Sequence, residues 1–148
     1  MSGCVLCAGE GGAAPVLWRD GFCRVVRAST DDYPAFLRVI LDRHVKEMTD
    51  LDEPARMQLM RVVWAAEAVV RGAWQPDKVN LASFGNQVPH LHWHVIGRWN
   101  GDAHFPEPPW GAPRRPSPKT AVPVEDVALR TALARRLGAQ AGPAGAPR

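Results

Sequence analysis

The sequence has few cysteines, no long apolar run and no basic block at its start. Its three cysteines, Cys4, Cys7 and Cys23, are too few and too unevenly spaced for the disulfide framework of a small secreted protein. No segment approaches the roughly 18 to 20 consecutive apolar residues of a membrane-spanning helix. The first ten residues, MSGCVLCAGE, also lack the basic and apolar blocks of a signal peptide. These absences exclude a disulfide-stapled extracellular module and predict a cytoplasmic protein with no membrane partner.

The length of 148 residues predicts one domain rather than two. Charge is unevenly divided: residues 1–110 carry 11 Lys and Arg against 13 Asp and Glu, whereas residues 111–148 carry 7 against 2. The basic residues of the second part lie among prolines and alanines without an aromatic residue that could stack on a base, so we expect no nucleic-acid partner. We predict a main domain over 1–110, a Pro-rich segment and C-terminal helix over 111–138 that pack on or extend it, and a disordered tail over 139–148.

The order of the predicted elements indicates an α+β fold. Short apolar stretches separated by turn formers predict five strands, at 16–18, 22–26, 36–41, 78–84 and 90–98. Helix formers predict a long helix over 53–71 that ends at Gly72, and a second helix over 124–137 that ends at Gly138.

The long helix has three N-cap candidates and a row of large apolar side chains. The N-cap candidates are Thr49, Asp50 and Asp52. The apolar side chains that fall on one side at helical spacing are Met57, Met60, Val63 or Trp64, and Val70. We interpret the methionines and Trp64 as core packing rather than as ligands.

Three of the five histidines, His90, His92 and His94, alternate with apolar residues. Side chains alternate between the two faces of a strand, so the three histidines are expected on one face and the apolar residues on the other. Their spacing of roughly 6.5 to 7 Å is too long for contact between the imidazole rings but suits a phosphate or a metal lying across them. Burial of alternate side chains in a sheet explains the apolar residues without invoking a function. It does not explain three histidines on the other face.

Two kinds of chemistry could use such a row. Neutral imidazole is a nucleophile near pH 7 and can carry a phosphoryl or nucleotidyl group on one ring nitrogen while an acceptor holds the other. A second histidine can donate to phosphate oxygens as charge develops in the transition state. Alternatively, His-x-His pairs on a strand chelate zinc, which would supply a hydroxide nucleophile. The Cys4-x-x-Cys7 pair favours the first interpretation, because a hydrolase with three histidine ligands has no use for it.

The segment NLASFGNQVPHLHWHVI contains the pattern His-φ-His-φ-His-φ-φ, in which φ is apolar. The run from His90 through His92 and His94 therefore resembles the histidine triad (HIT) family of nucleotide hydrolases and transferases. The resemblance covers all seven positions of the pattern and extends more loosely over residues 4–110. It implies a HIT-like antiparallel β-sheet with a long helix and a C-terminal helix, and it makes the main domain catalytic.

The resemblance also implies catalytic and substrate-binding roles. His92 would be the nucleophile that attacks the α-phosphorus and forms a nucleotidyl-histidine, and His94 would contact the phosphate oxygens or the scissile bridge. Gln87 occupies a position from which a polar side chain reaches the leaving group. Asn80 lies where the family places an asparagine that contacts phosphate or ribose, and a tight connection at Gly85 would bring it beside the histidines.

Some family members carry a zinc ion apart from the catalytic residues. The four residues that match its ligands are Cys4, Cys7, His44 and His90. A Cys₂His₂ set is tetrahedral and has no open position for water, so the resemblance implies a structural zinc and no organic cofactor.

The sequence departs from the family at the nucleoside pocket. The acidic residue that binds the ribose hydroxyls in many members falls here on Ala28, and Asp31 or Asp32 could replace it only with a shifted loop. The aromatic residues near the expected base-binding wall, Trp18 and Phe22, are interpreted as hydrophobic core.

The predicted function is hydrolysis or transfer at the α-phosphate of a nucleoside phosphate ester, phosphoramidate or dinucleoside polyphosphate. The expected partners are the nucleotide substrate and a second copy of the chain, which would form a homodimer through the long helix. Two alternatives remain: a zinc-dependent hydrolase that uses the histidine row as metal ligands, and a nucleotide-binding sensor without catalysis.

Overall fold

The computed structural model describes residues 3–7, 14–118 and 121–139. Five strands form one antiparallel sheet: β1 (Val16–Arg19), β2 (Cys23–Arg27), β3 (Phe36–Leu41), β4 (Lys78–Ala82) and β5 (His92–Arg98). Two helices accompany the sheet, α1 (Glu53–Trp74) and α2 (Asp126–Leu137), and a short 3₁₀ helix (Met48–Asp50) precedes α1. The order across the sheet is β1-β2-β3-β5-β4. This arrangement confirms the predicted α+β fold with its antiparallel sheet, long helix and C-terminal helix.

Helix α1 begins where the sequence predicts and ends a little later than predicted. The Asp52 side chain caps the first turn by accepting a hydrogen bond from the backbone N–H of Ala55 (2.9 Å). Gly72 does not end the helix. A glycine inside a helix costs only about 1 kcal/mol, and continuing the helix buries Trp74 in the core. The left-handed C-cap is Gln75, with φ of 49°.

The buried side of α1 packs on one face of the sheet and forms the main core. The helix residues buried there are Leu59, Val62, Val63, Ala65, Ala66, Val69, Val70 and Trp74. Met60 is partly buried against them, but Met57 and Trp64 are 43% and 47% exposed, so their interpretation as core residues is wrong. The buried residues recur at helical spacing from Leu59, and this spacing places Met57 and Trp64 on the other side of the helix.

Helix α2 packs against α1 and β1, and Leu129 and Leu133 enter the same core. It ends at Gly138 as predicted, and the Gly138 carbonyl accepts a hydrogen bond from the indole of Trp18 (3.1 Å). Trp18 is buried in the core and Phe22 is partly buried against it, which confirms the prediction for both aromatics. Of the predicted disordered tail, residues 140–148 lie outside the described residues.

The opposite face of the sheet carries the histidines and is partly covered by segments without helix or strand. Residues 3–7 lie on it, where the Leu6 carbonyl accepts a hydrogen bond from Arg24 (2.6 Å). The loop 99–118 is tied to β5 through Asp102, which accepts two hydrogen bonds from Arg98 (2.6 and 2.9 Å). Within the described ranges, neither helix is both long and apolar enough to cross a membrane.

Candidate active site

Strand β5 places His92 and His94 on one face of the sheet, with ring centroids 4.9 Å apart and the rings edge to face. The rings therefore touch, contrary to the expectation from backbone spacing, because each imidazole can turn along the strand toward the other. His90 lies two residues before the strand begins, and its ring contacts His44 instead. The expected row of three histidines is thus a pair plus one histidine with other partners.

One ring nitrogen of His92 is fixed by the backbone. Nδ1 of His92 lies 2.6 Å from the carbonyl oxygen of His90. A carbonyl only accepts hydrogen bonds, so Nδ1 carries the proton and the lone pair of the neutral ring is on Nε2. Burial lowers the pKa of His92, and the positive charge of Arg38 lowers it further. The side chain is therefore a neutral imidazole of defined tautomer near pH 7.

His94 is enclosed by aromatic rings and has an unpaired nitrogen. Its ring centroid lies 5.7 Å from that of Phe36, 6.0 Å from that of Phe84 and 5.1 Å from that of Trp110. Burial, together with the charges of His92 and Arg38, lowers the pKa of His94 to about 4. Its Nδ1 is buried without a hydrogen-bond partner among the described residues. Such an atom is available to a group that enters the site.

His92 and His94 line a cavity of about 780 Å³. The rest of its wall comes from three segments: Val5 and Leu6, residues 84–88, and the loop residues Pro108, Trp110 and Gly111. Arg38 of β3 completes it. The cavity is large enough for a nucleotide, since sites for small molecules commonly measure about 300 to 1,000 Å³.

Of the two predicted polar substrate contacts, Gln87 lines this cavity and Asn80 does not. The connection from β4 to β5 is the long loop 83–91 rather than a tight turn. Asn80 pairs in register with Ile96, and its Oδ1 accepts a hydrogen bond from Arg98 (2.7 Å). Asn80 therefore contacts Arg98 rather than the cavity wall, and its contact with phosphate or ribose stays a prediction.

A second cluster joins the N-terminal segment to the turn before β5. One donor atom from each of Cys4, Cys7, His44 and His90 lies within 4.8 Å of all the others. Nδ1 of His90 is 3.4 Å from both sulfur atoms and 3.2 Å from Nδ1 of His44, which is itself 3.1 Å from the Cys7 sulfur. Donor separations of this size surround a tetrahedral ion bound at about 2.0 to 2.3 Å. The cluster can hold a metal ion.

The other ring nitrogen of His90 supports that use. Nε2 of His90 lies 2.6 Å from the carbonyl oxygen of Leu41, so it carries the proton and donates. The lone pair of the neutral ring is then on Nδ1, which faces the cysteines and His44. Metal-binding histidines are commonly oriented in this way by a backbone carbonyl on the second nitrogen.

Comparison with known families identifies the fold. The family model of the HIT domain matches residues 13–101. The chain belongs to the HIT family. A histidine triad protein of Bradyrhizobium japonicum is 28% identical, with a TM-score of 0.65 over 84% of this chain and 90% of that one. One from Marinobacter aquaeolei VT8, at 24% identity, shares the fold, with a TM-score of 0.68 over 83% of this chain and 90% of that one.

A curated relative of this HIT protein is named AP-4-A phosphorylase, from Mycobacterium tuberculosis. The match is 33% identical over 78 residues and covers 49% of this chain and 40% of that protein. The chain thus spans less than half the length of this relative. The family and the relative support nucleotide processing.

Sequence reasoning missed three residues of the HIT site: Arg38, Phe84 and Trp110. Arg38 interrupts the apolar stretch FLRVIL. This was the available signal for a functional residue, because a charged side chain is unusual inside a central strand. Trp110 lies far beyond His94 along the chain, and nothing in the sequence indicates that the two rings come into contact. Asp31 and Asp32 line a separate cavity of about 220 Å³, so they do not supply the ribose contact missing at Ala28 in this arrangement.

Proposed function

We propose that the protein is a nucleotidyl hydrolase or transferase that acts on the α-phosphate of a nucleoside phosphate ester, phosphoramidate or dinucleoside polyphosphate. The observation that carries the proposal is the hydrogen bond from His92 Nδ1 to the His90 carbonyl. It leaves the lone pair of Nε2 free on a histidine that lines a nucleotide-sized cavity. A neutral imidazole held in one tautomer is suited to attack on phosphorus.

The reaction would proceed in two displacements at the same phosphorus. First, Nε2 of His92 forms a bond to the α-phosphorus, and the bond to the leaving group breaks with its electron pair going to that group, which takes up a proton. Second, a water or another acceptor attacks the phosphorus, the P–N bond breaks with its electron pair returning to Nε2, and an attacking water loses a proton to the solvent. The positive charge that develops on the His92 ring is offset by the hydrogen bond from Nδ1 to the His90 carbonyl.

Two further side chains would contact the substrate. His94 would hold a phosphate oxygen or the scissile bridge through its unpaired nitrogen, and its contact with the His92 ring keeps it at the reacting atoms. Gln87 would act on the leaving group, since it lines the cavity from the β4–β5 loop. Asn80 would act only indirectly, by holding Arg98.

The name of the Mycobacterium tuberculosis relative favours a dinucleoside polyphosphate among these substrates and raises the question of the acceptor. Attack at the α-phosphorus of diadenosine tetraphosphate gives AMP when water is the acceptor and ADP when inorganic phosphate is the acceptor. Chromatography of the products with and without added phosphate distinguishes the two.

The test is turnover of diadenosine tetraphosphate and adenosine 5′-phosphoramidate by the wild type and two variants. His92→Ala should lower kcat by several orders of magnitude while Kd for the nucleotide changes little, because only the reacting atom is lost. His94→Ala should lower kcat by about 10² to 10³, the contribution of one transition-state donor. Acid-labile, base-stable label should appear on the quenched wild type and be absent from the His92 variant. Near-normal turnover by His92→Ala refutes this mechanism.

The same panel separates the two alternative functions. A zinc hydrolase that used the histidine row would need all three rings to converge, but His90 contacts the cysteines while His92 donates to the backbone. Loss of turnover on metal removal, in protein that remains folded, would nevertheless favour it. A nucleotide sensor would bind these nucleotides and convert none of them.

We propose that the second cluster binds a structural zinc. Two thiolates and two imidazoles form the donor set typical of closed zinc sites, and four protein ligands leave no position for a reacting water. Bound zinc would supply cross-linking rather than catalysis. Cys4 and Cys7 would tie the N-terminal segment to the turn that carries His90.

We also propose that the protein forms a homodimer through the outer side of α1. Met57 and Trp64 lie about two helical turns apart and are both exposed there. Exposed large apolar residues on one side of a helix are typical of contact surfaces, and dimers with twofold symmetry bury the same surface of both copies.

A further inference from the structure

Arg38 lies on the same sheet face as the two histidines. It is on β3, directly opposite His94 on β5, and it lines the cavity of about 780 Å³. Its guanidinium carbon is 5.3 Å from the centroid of the Phe36 ring. The side chain therefore places a positive charge beside the reacting groups rather than on the outer surface.

Arg38 differs from the other arginines of the sheet in having no anionic partner among the described residues. The other strand arginines, Arg19, Arg24, Arg27 and Arg98, each lie within 4.0 Å of an aspartate oxygen. In the part of the chain that the structure describes, no carboxylate pairs with Arg38, and its buried Nε has no hydrogen-bond partner. The fold thus satisfies the charges of the other strand arginines and leaves the one in the cavity unpaired.

An unpaired, partly buried guanidinium is costly unless an anion completes it. Burial lowers the pKa of Arg38, which is the physical sign of that cost. A guanidinium binds phosphate through parallel N–H donors and gains most where water is excluded. The arrangement is therefore that of a binding position for an anionic group.

We propose that Arg38 binds a phosphate of the substrate other than the one attacked by His92, so that the site selects nucleotides whose leaving group is itself a phosphate. This inference rests on the proposed function and names its substrate class. The strand register supports it: Ile40, not Arg38, is opposite His92, and Arg38 lies two residues before Ile40 on β3, opposite His94. His94 contacts the His92 ring and is opposite Arg38, so it would contact both phosphates.

The test compares two substrates that share the α-phosphate and differ in the leaving group. The leaving group of diadenosine tetraphosphate is a polyphosphate, and that of adenosine 5′-phosphoramidate is ammonia. Arg38→Met, which keeps most of the length of the side chain, should lower kcat/KM for the first by about 10- to 100-fold, the value of charge-assisted hydrogen bonds. It should change kcat/KM for the second by less than about threefold. Arg130→Met, which removes an exposed charge on α2, is the matched control and should change neither.

Binding of inorganic tripolyphosphate, measured by titration calorimetry, tests the same position without catalysis. It should weaken by at least about tenfold in Arg38→Met and stay unchanged in Arg130→Met. Equal loss of turnover on both substrates, or tripolyphosphate binding that does not depend on Arg38, would overturn the proposal. If the wild type turned over neither substrate, the proposed function would fail, and tripolyphosphate binding alone would then decide whether Arg38 forms an anion site.

Discussion

Replacing Asp102 by asparagine should destabilise the protein strongly, because this carboxylate joins a buried arginine to the loop that brings Trp110 to His94. Asp102 accepts hydrogen bonds from Nε and Nη2 of Arg98 and from the backbone N–H groups of His104 (2.9 Å) and Phe105 (2.8 Å). The side chains of Arg98 and Asp102 are 2% and 4% exposed. The Asp102→Asn substitution would keep the shape of the side chain, remove one acceptor oxygen and leave the Arg98 charge without an anion.

The magnitude follows from that burial. Removing one partner of a buried ion pair costs about 3 to 5 kcal/mol, because the other charge remains buried and uncompensated. For a chain of this size such a loss lowers the melting temperature by about 10 to 15 °C. The matched control is Glu107→Gln, which breaks an exposed ion pair with Arg114 (3.9 Å) and should cost less than about 1 kcal/mol.

The pH dependence gives a second measurement on the same pair. Burial alone would raise the pKa of Asp102, but the hydrogen bonds from Arg98, His104 and Phe105 outweigh it and hold the pKa at about 2, below its ordinary value of 3.8. Ionisation therefore stabilises the folded state. This contribution of about 2 kcal/mol is complete above about pH 4 and is lost as the pH falls toward 2.

Thermal unfolding of the wild type, Asp102→Asn and Glu107→Gln between pH 7 and pH 2 tests both statements. The wild type and the asparagine variant should differ most at neutral pH, and the difference should narrow by about 2 kcal/mol as the wild-type carboxyl becomes protonated. The reasoning would be refuted if Asp102→Asn were as stable as Glu107→Gln at pH 7. It would also be refuted if the stability difference between the wild type and Asp102→Asn stayed constant down to pH 2.

Three further predictions concern other parts of the molecule. The purified protein should contain about one zinc per chain. Cys7→Ser should remove the zinc and lower the stability by at least about 3 kcal/mol. Metal-free protein with an unchanged melting temperature would exclude a structural site. Gly97→Ala should cost about 1 to 3 kcal/mol in urea unfolding, because its Cβ would lie 2.8 Å from that of Ala35, and adding Ala35→Gly should recover part of the loss. Trp64→Glu should convert the dimer to a monomer in analytical ultracentrifugation while the fold is retained. A wild type that already sediments as a monomer contradicts the proposed interface.

The sequence predicted the elements whose signals are local. Alternating apolar residues located the strands, and Asp52 and Gly138 marked two helix ends through side-chain capping and backbone freedom. Family resemblance then predicted that Cys4 and His90, at opposite ends of the main domain, would meet, and their donor atoms lie 3.4 Å from each other. The family and the fold class needed no information beyond these patterns.

What the sequence did not predict depends on contacts between distant segments. Trp64 is exposed because the side of α1 that faces the core carries Leu59, Val63, Ala66 and Val70, and its large apolar side chain suggested the opposite. The position of Asn80 is decided by Arg98, its partner on the neighbouring strand. Trp110 reaches His94 from the loop 99–118, which Asp102 helps to anchor to β5, and no local pattern reports such an anchor.

His90 has two separate roles, one for its side chain and one for its backbone. The imidazole of His90 belongs to the cluster with Cys4, Cys7 and His44, whereas the atom that orients His92 is the main-chain oxygen of the same residue. Every amino acid supplies that oxygen, so the acceptor survives any substitution that leaves the turn in place. Replacing the two cysteines and both histidines of the cluster would therefore keep the acceptor that orients His92, provided that other contacts hold this turn against β5. The cluster and the His92–His94 pair can thus be changed separately, although they meet in one residue.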